Sequence, residues 1–132
     1  LVDNSTHGVT YTSIAFNAND QPAVSYYDIH DADLKYAEFN GSYWRSQKLA
    51  TKGAQGLYTQ LHFSSDGLAN IFYYNRRNND VVELTGTFGN WDANILQMGG
   101  GRYINVAVDP SGADATYTWF QPGIAKLRLA DV

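Results

Sequence analysis

Three polar loops, 28–33, 75–80 and 120–123, carry most of the side chains that could bind a ligand. The first contains Asp28, His30, Asp31 and Asp33 in close succession. Carboxylate oxygens, with or without an imidazole nitrogen, are ligands for calcium and other divalent cations. The run lacks the glycine that an EF-hand loop needs and does not recur later in the chain, so it equally fits a solvated turn. We therefore predict no metal or other cofactor, and keep Asp28, Asp31 and Asp33 as weak metal candidates.

The second polar loop, 75–80, contains Arg76 next to Arg77. A guanidinium group pairs bidentately with a carboxylate or a sulfate, so these residues could hold an acidic glycan. The alternative is that they are surface arginines that offset the acidic loop 28–33 on a neighbouring segment. We predict Arg76 and Arg77 as ligand-binding residues, and the alternative stays open.

Aromatic residues form 14% of the sequence, and ten of them are Tyr. A flat ring can stack on the apolar face of a pyranose, but most of these rings recur at strand positions that the fold itself must fill. Those at strand edges or next to loops are the better candidates for stacking. These are Tyr43, Trp91 and Trp119.

Catalytic arrangements find little support in the sequence. There is no cysteine and no Gly-x-Ser-x-Gly turn, and the three histidines do not have the spacing of metal ligands. Carboxylate pairs such as Glu38 and Glu83 could in principle serve as acid and base in glycoside hydrolysis. No other residue pattern supports that role, so we predict that the protein is not an enzyme.

An internal repeat organises the chain. Three passages superimpose, each starting at a Tyr and closing on an aromatic residue 16 positions later: Tyr11 to Tyr27, Tyr58 to Tyr74, and Tyr103 to Trp119. The offset of 47 residues between the first two passages also relates Leu34 to Val81 and Trp44 to Trp91. Alternating apolar residues predict strands, and Asn40-Gly41 predicts a two-residue hairpin turn. Each unit thus has four short strands over roughly 45 residues, which is typical of a β-propeller blade.

The predicted fold is all-β, a propeller of four-stranded antiparallel blades with three blades per chain. Residues 1–10 would be the end of an outer strand and its link, followed by blade 1 (11–56), blade 2 (57–101) and an incomplete blade 3 (102–132). Three blades cannot close a ring, since closed propellers have about four to eight. We expect the ring to be closed by a second chain, giving a six-bladed dimer, or by the remaining blades of a longer parent chain.

Several of these segments have a familiar pattern: Tyr26-Tyr27-Asp28, Leu34-Lys35-Tyr36, Asn40-Gly41-Ser42 and Trp44. The pattern resembles the tandem repeats of secreted bacterial β-propellers. More loosely, it is similar to the bladed lectins, in which chains of two blades assemble into six-bladed fucose-binding rings. The resemblance covers essentially the whole chain and implies a secreted, oligomeric, sugar-binding protein.

Fucose-binding lectins of this type place an Arg on the second strand, a Glu on the third and an aromatic residue near the fourth. In the second repeat Glu83 and Trp91 match the last two positions, whereas Ile71 stands at the Arg position. In the first repeat, Val24 and Tyr36 replace the Arg and the Glu. The resemblance therefore implies Glu83 and Trp91 as ligand-binding residues but not an intact fucose site.

Composition sets the remaining limits. Nine Lys and Arg against thirteen Asp and Glu give a net charge of −4, which argues against nucleic acid as a partner. No apolar run is long enough for a membrane span. We expect a non-enzymatic extracellular module that binds glycans through its loops and blade seams. The alternatives are a structural or protein-interaction propeller, and a fragment of a larger propeller enzyme such as a glycosidase.

Overall fold

The computed structural model describes residues 1–4, 7–111, 115–121 and 126–131, the last of these by backbone alone. The described residues form strands and turns and contain no helix, so the predicted all-β class is confirmed. Accordingly, the described part of the chain has no helix that could cross a membrane.

The strands form three antiparallel sheets in the order of the sequence. Sheet 1 contains β1 (Val9–Phe16), β2 (Pro22–Asp28), β3 (Asp33–Phe39) and β4 (Trp44–Ala50). Sheet 2 contains β5 (Gln55–Phe63), β6 (Ala69–Asn75), β7 (Asp80–Thr87) and β8 (Asn90–Met98). Sheet 3 contains β9 (Arg102–Val108), β10 (Ala115–Gln121) and β11 (Lys126–Asp131). The predicted four-stranded unit fits sheets 1 and 2.

Short polar side chains stabilise turns between strands by accepting hydrogen bonds from the backbone. In the β1–β2 turn, the Asn17 Oδ1 accepts hydrogen bonds from the backbone N–H groups of Asn19 (2.9 Å) and Gln21 (3.0 Å). The predicted two-residue turn at Asn40-Gly41 is wrong, because Phe39 pairs with Trp44 and leaves four residues in the loop. The Asn40 Oδ1 accepts from the backbone of Ser42 and Tyr43, which stabilises this wider loop.

The sheets pack face to face through two apolar clusters. Between sheets 1 and 2, buried residues such as Leu34 and Tyr36 meet Ile71 and Leu84. Between sheets 2 and 3 the buried residues are Phe72, Tyr74, Val81, Ile104, Tyr117 and Trp119. At one end of the molecule, the turns after β1, β5 and β9 surround a cavity of about 510 Å³. The first strands of the three sheets are therefore neighbours around a common space.

A buried ion pair lies on the face of sheet 1 that points away from sheet 2. The Lys35 ammonium is 2.9 Å from Asp28 and 3.6 Å from Asp3, and all three side chains are almost fully buried. Asp3 also accepts a hydrogen bond of 2.6 Å from the Tyr26 hydroxyl. Residues 1–4 form no strand in the chain. Instead, this contact places the N-terminal segment against sheet 1.

Candidate functional site

Three repeated tyrosines form a continuous row at the start of the first strand of each sheet. We call Tyr11, Tyr58 and Tyr103 the tyrosine ladder. The ring centroids of Tyr11 and Tyr58 are 4.7 Å apart, and those of Tyr58 and Tyr103 are 4.8 Å apart. The ladder therefore crosses both boundaries between sheets.

Each ladder residue has a left-handed backbone, with φ of 52°, 56° and 55° for Tyr11, Tyr58 and Tyr103. Strand pairing shifts at the same place in every sheet, between Thr10 and Ser13 in the first, which is the mark of a β-bulge. A bulky residue in this conformation costs about 1–3 kcal/mol. The same costly geometry therefore recurs three times with the same residue type.

A second row of aromatic rings lies beside the ladder. Tyr11 contacts Tyr27 and Tyr58 contacts Tyr74, each pair with centroids 6.3 Å apart. In sheet 3, Tyr103 makes the same 6.3 Å contact with Phe120. The sequence alignment that places Trp119 at this position is therefore wrong by one residue.

The reason for this correction is the length of one turn. Ala115 pairs with Val108 in sheet 3, as Ala69 pairs with Phe63 in sheet 2. Six residues, 109–114, separate β9 from β10 in the sequence, one more than the five residues, 64–68, between β5 and β6. A shift of one residue exchanges the two faces of a strand. Trp119 thus turns towards sheet 2, where it is 5% exposed.

The ladder offers aromatic and hydroxyl surface to solvent. Tyr11 is 37% and Tyr103 65% exposed, whereas Tyr58 between them is half-buried. Burial, followed by the neighbouring hydroxyls of Tyr11 and Tyr103, raises the pKa of Tyr58 to about 12. The Tyr58 phenol is therefore neutral under physiological conditions, and it can both donate and accept a hydrogen bond.

Arg76 and Arg77 lie exposed in the β6–β7 turn, close to this surface. The Arg76 N–H donates to the Ala54 carbonyl (3.0 Å), and the Arg77 guanidinium donates to the Lys52 carbonyl (3.0 Å). Burial raises the pKa of Tyr27, and the positive charge of Arg76 partly opposes that rise. Neither arginine forms an ion pair within the described ranges. Arg76 is thus positioned to meet an anionic group beside the aromatic rows.

Glu83 and Trp91 are not brought together. Trp91 packs in the seam between sheets 1 and 2, with its ring edge-on to Tyr36 at 5.1 Å. Glu83 is 8% exposed and lies on the opposite face of sheet 2, where its charge acts on Tyr117 of sheet 3. Burial raises the pKa of the Glu83 carboxyl. Ile71, at the position of the lectin arginine, is fully buried, so the three positions do not form one pocket.

The remaining predicted stacking residues lie apart from one another. Trp119 stacks on Tyr117 with centroids 5.2 Å apart inside the seam between sheets 2 and 3. Tyr43 is 61% exposed, but it lies in the β3–β4 turn, at the opposite end of sheet 1 from Tyr11. Trp119 therefore belongs to the core, and Tyr43 belongs to a different surface from the ladder.

The acidic loop is neutralised by lysines. Asp28 pairs with Lys35, while Lys48 pairs with Asp31 at 2.7 Å and with Asp33 at 3.1 Å. Together with His30, the Lys48 ammonium lowers the pKa of Asp31 to about 2. Among the residues that the structure describes, no group of three His, Cys, Asp or Glu side chains is arranged to hold a metal ion.

Comparison with known proteins does not identify a family. No protein-family model matches the chain, and no curated protein matches it. The similarity to propeller lectins accordingly stays an expectation, and the functional argument depends on the tyrosine ladder and the loops around it.

Proposed function

We propose that the chain is a non-enzymatic, extracellular β-propeller module that binds carbohydrate on the tyrosine ladder. The observation that carries the proposal is the repetition of Tyr in a strained backbone at Tyr11, Tyr58 and Tyr103. Strained non-glycine residues cluster at binding and active sites, where the surrounding structure maintains them. A Tyr ring also suits sugar, because it joins an apolar face to a hydroxyl group.

The ladder has the extent and exposure of a stacking platform. The centroids of neighbouring rings are 4.7 and 4.8 Å apart, and the outer members Tyr11 and Tyr103 are exposed to solvent. Neighbouring rings are tilted against each other by 59° and 46°, so the ladder offers separate ring faces, at Tyr11 and Tyr103 above all, on which sugar units could stack. The second row, with Tyr27 and Tyr74, supports the ladder from within each sheet.

The proposed ligand is an acidic glycan. Arg76 follows Tyr74 of the second row by two residues and carries a charge that the described carboxylates do not pair. A guanidinium beside an aromatic ring could bind a uronic acid or a sulfated sugar bidentately while the ring stacks on the pyranose. Glu83, Trp91 and Trp119 contribute to this site indirectly, since they pack the sheets that position the ladder.

The three sheets correspond to three blades in this proposal. Their order and the approach of β1, β5 and β9 to a common space agree with a propeller whose axis runs along the first strands. A second copy of the chain, or further blades of a longer parent chain, would complete the ring. The alternative function is a protein-interaction propeller, in which Ile14 and Phe16, 63% and 61% exposed, would contact a partner protein instead of a second copy.

A glycan array that includes acidic and sulfated glycans tests the proposal. We expect the wild-type chain to bind, and Tyr103→Ala to weaken binding about tenfold, which corresponds to a loss of about 1.4 kcal/mol of binding free energy. Tyr43→Ala is the matched control, since it removes an equally exposed Tyr from the other end of sheet 1. An array without any bound glycan would refute the proposal, and so would equal binding by both variants.

A further inference from the structure

The two outermost sheet faces of the molecule have counterparts that are already packed together inside it. The face of sheet 1 that points away from sheet 2, here called the outer face, exposes Ile14 and Phe16. The 47-residue repeat relates this face to the face of sheet 2 that packs on sheet 1. The equivalent pairs are Thr12 and Thr59, Ile14 and Leu61, Phe16 and Phe63, and Val24 and Ile71. In sheet 2, Leu61 is 7% and Ile71 0% exposed.

The face that receives these apolar residues is made of small side chains. On sheet 1, Ser13 pairs with Ser25 and Ala15 with Ala23, all on the side towards sheet 2. Ser13 Oγ accepts a hydrogen bond of 2.9 Å from the Leu61 N–H. Small residues leave room for the large side chains of the next sheet, and the hydroxyl groups satisfy its backbone.

Sheet 3 presents a similar small-residue face, and no described sheet covers it. Asn105 pairs with Thr118 and Ala107 with Thr116, in the same register as the Ser and Ala pairs of sheet 1. These four residues alternate with Ile104, Val106 and Tyr117, which pack towards sheet 2. We call Asn105, Ala107 and Thr118 the small-residue face of sheet 3.

Side chains at one pair of positions are matched in type across each seam. Between sheets 1 and 2, the Thr59 hydroxyl donates to the Ser25 hydroxyl over 2.9 Å in a buried contact. Between sheets 2 and 3, the equivalent residues Ile104 and Phe72 are both apolar and both buried. The equivalent residues without a partner sheet, Thr12 and Thr118, both carry a hydroxyl group again. This matching is what a third seam of the same kind requires.

The N-terminal segment adds an independent observation. Val2 lies on the outer face and lines an apolar cavity of about 170 Å³ together with Val9, Thr12, Val24 and Tyr26. Its repeat equivalent, Leu49 in β4, packs against the cluster between sheets 1 and 2. Val2 thus packs on sheet 1 at the place where Leu49 of β4, the last strand of sheet 1, packs on sheet 2.

We infer that the outer face of sheet 1 docks on the small-residue face of sheet 3 of a second copy of this chain. The contact is head-to-tail, so two chains closing on each other would make it twice and form a ring. Thr12 would meet Thr118 of the second copy, and Ile14 would pack over its Ala107. The inference rests on the proposed repeat fold and not on the proposed glycan, which could bind to a single chain as well.

Mixed cysteine variants test this arrangement, because the natural chain has no cysteine. Thr12→Cys and Thr118→Cys are prepared separately, then each is oxidised alone or after the two are incubated together. We expect a disulfide-linked dimer as the main product of the mixture and none from either variant alone. The pair Ser25→Cys and Thr59→Cys in one chain is the positive control, since it should close within the monomer.

Two controls make the result decisive. Thr87 is exposed at the end of β7, and Thr87→Cys should not cross-link to Thr118→Cys. Ile14→Lys should increase the dimer dissociation constant about tenfold or more, because it removes an apolar side chain from the contact and places a charge there. The circular dichroism of the Ile14→Lys monomer should not change. Three results would overturn the inference: a cross-link of either cysteine variant with itself, no cross-link in the mixture, or an unchanged dimer dissociation constant for Ile14→Lys.

Discussion

Replacing Lys35 with Met tests how the outer face of sheet 1 is held together. Lys35 is buried with Asp28 at 2.9 Å and Asp3 at 3.6 Å, and the side chains of Lys35 and Asp28 are only 3% and 1% exposed. Removing the ammonium would leave two buried carboxylates without their cation. Breaking a buried pair in this way costs about 3–5 kcal/mol. We expect a loss of that size in the free energy of unfolding near neutral pH.

The pH dependence follows from the protonation of Asp28. Burial alone would raise the pKa of its carboxyl, but Lys35 and the backbone N–H groups of Asp31 and His30 more than offset burial and lower it. A lowered folded-state pKa contributes stability above the ordinary value of 3.8, and this stability is lost as the pH falls through the folded-state pKa. Without Lys35, two of the causes that lower this pKa are lost while burial remains, so the pKa of the carboxyl should rise and the group should become neutral on acidification. The penalty of Lys35→Met should therefore shrink towards about pH 4.

Urea denaturation of both proteins over a pH series measures this difference. Arg45→Met is the matched control, because it removes a cation whose ion pair with Glu38 lies nearer the surface, with side chains 42% and 20% exposed. Its effect on the free energy of unfolding should be much smaller. If Lys35→Met costs less than about 1 kcal/mol at every pH, the buried pair does not stabilise the sheet in the way described.

Three further predictions concern single positions. Gly56→Ala should cost about 1–3 kcal/mol, because Gly56 has φ of +107° and a Cβ there would lie 2.8 Å from the Leu34 Cα. Gly53→Ala, in open space at φ +77°, should cost less, and equal losses in urea denaturation would contradict the geometry. Trp119→Ala should cost about 3–5 kcal/mol if the residue is core, whereas unchanged stability with lost glycan binding would make it a ligand contact. Alkali should also destabilise the fold. The pKa of Tyr58 is raised from 10.0 to about 12, so the stability present below pH 10 is lost as the pH rises towards 12. Unfolding free energies that stay constant over this range would refute that expectation.

Periodicity made the strands and sheets predictable from sequence. The 16-residue Tyr spacing and the 47-residue offset located β1, β2, β5 and β6, because a strand has to repeat its apolar face to pack on the next sheet. The same regularity concealed the extra residue in the β9–β10 turn. Trp119 and Phe120 are both aromatic. The 16-residue spacing from Tyr103 therefore still ends on an aromatic residue, although the insertion moves the equivalent position to Phe120.

The candidate site was less accessible to sequence reasoning. Glu83 and Trp91 lie on the third and fourth strands of one sheet, but whether two side chains share a face depends on their pairing register. The tyrosine ladder was visible only as a repeat, since a bulge with positive φ leaves no composition signal when the residue is Tyr. The recurrence of Tyr itself, where other apolar residues would pack equally well, was the one available clue.

The central claim is that the face-to-face contact that joins neighbouring sheets within the chain also joins two copies of the chain. Native mass spectrometry of the purified chain tests it most directly, because the mass of the assembly counts the copies. We predict a complex of twice the 14.7 kDa chain mass, formed without any ligand. A single species of 14.7 kDa at every concentration would contradict the account.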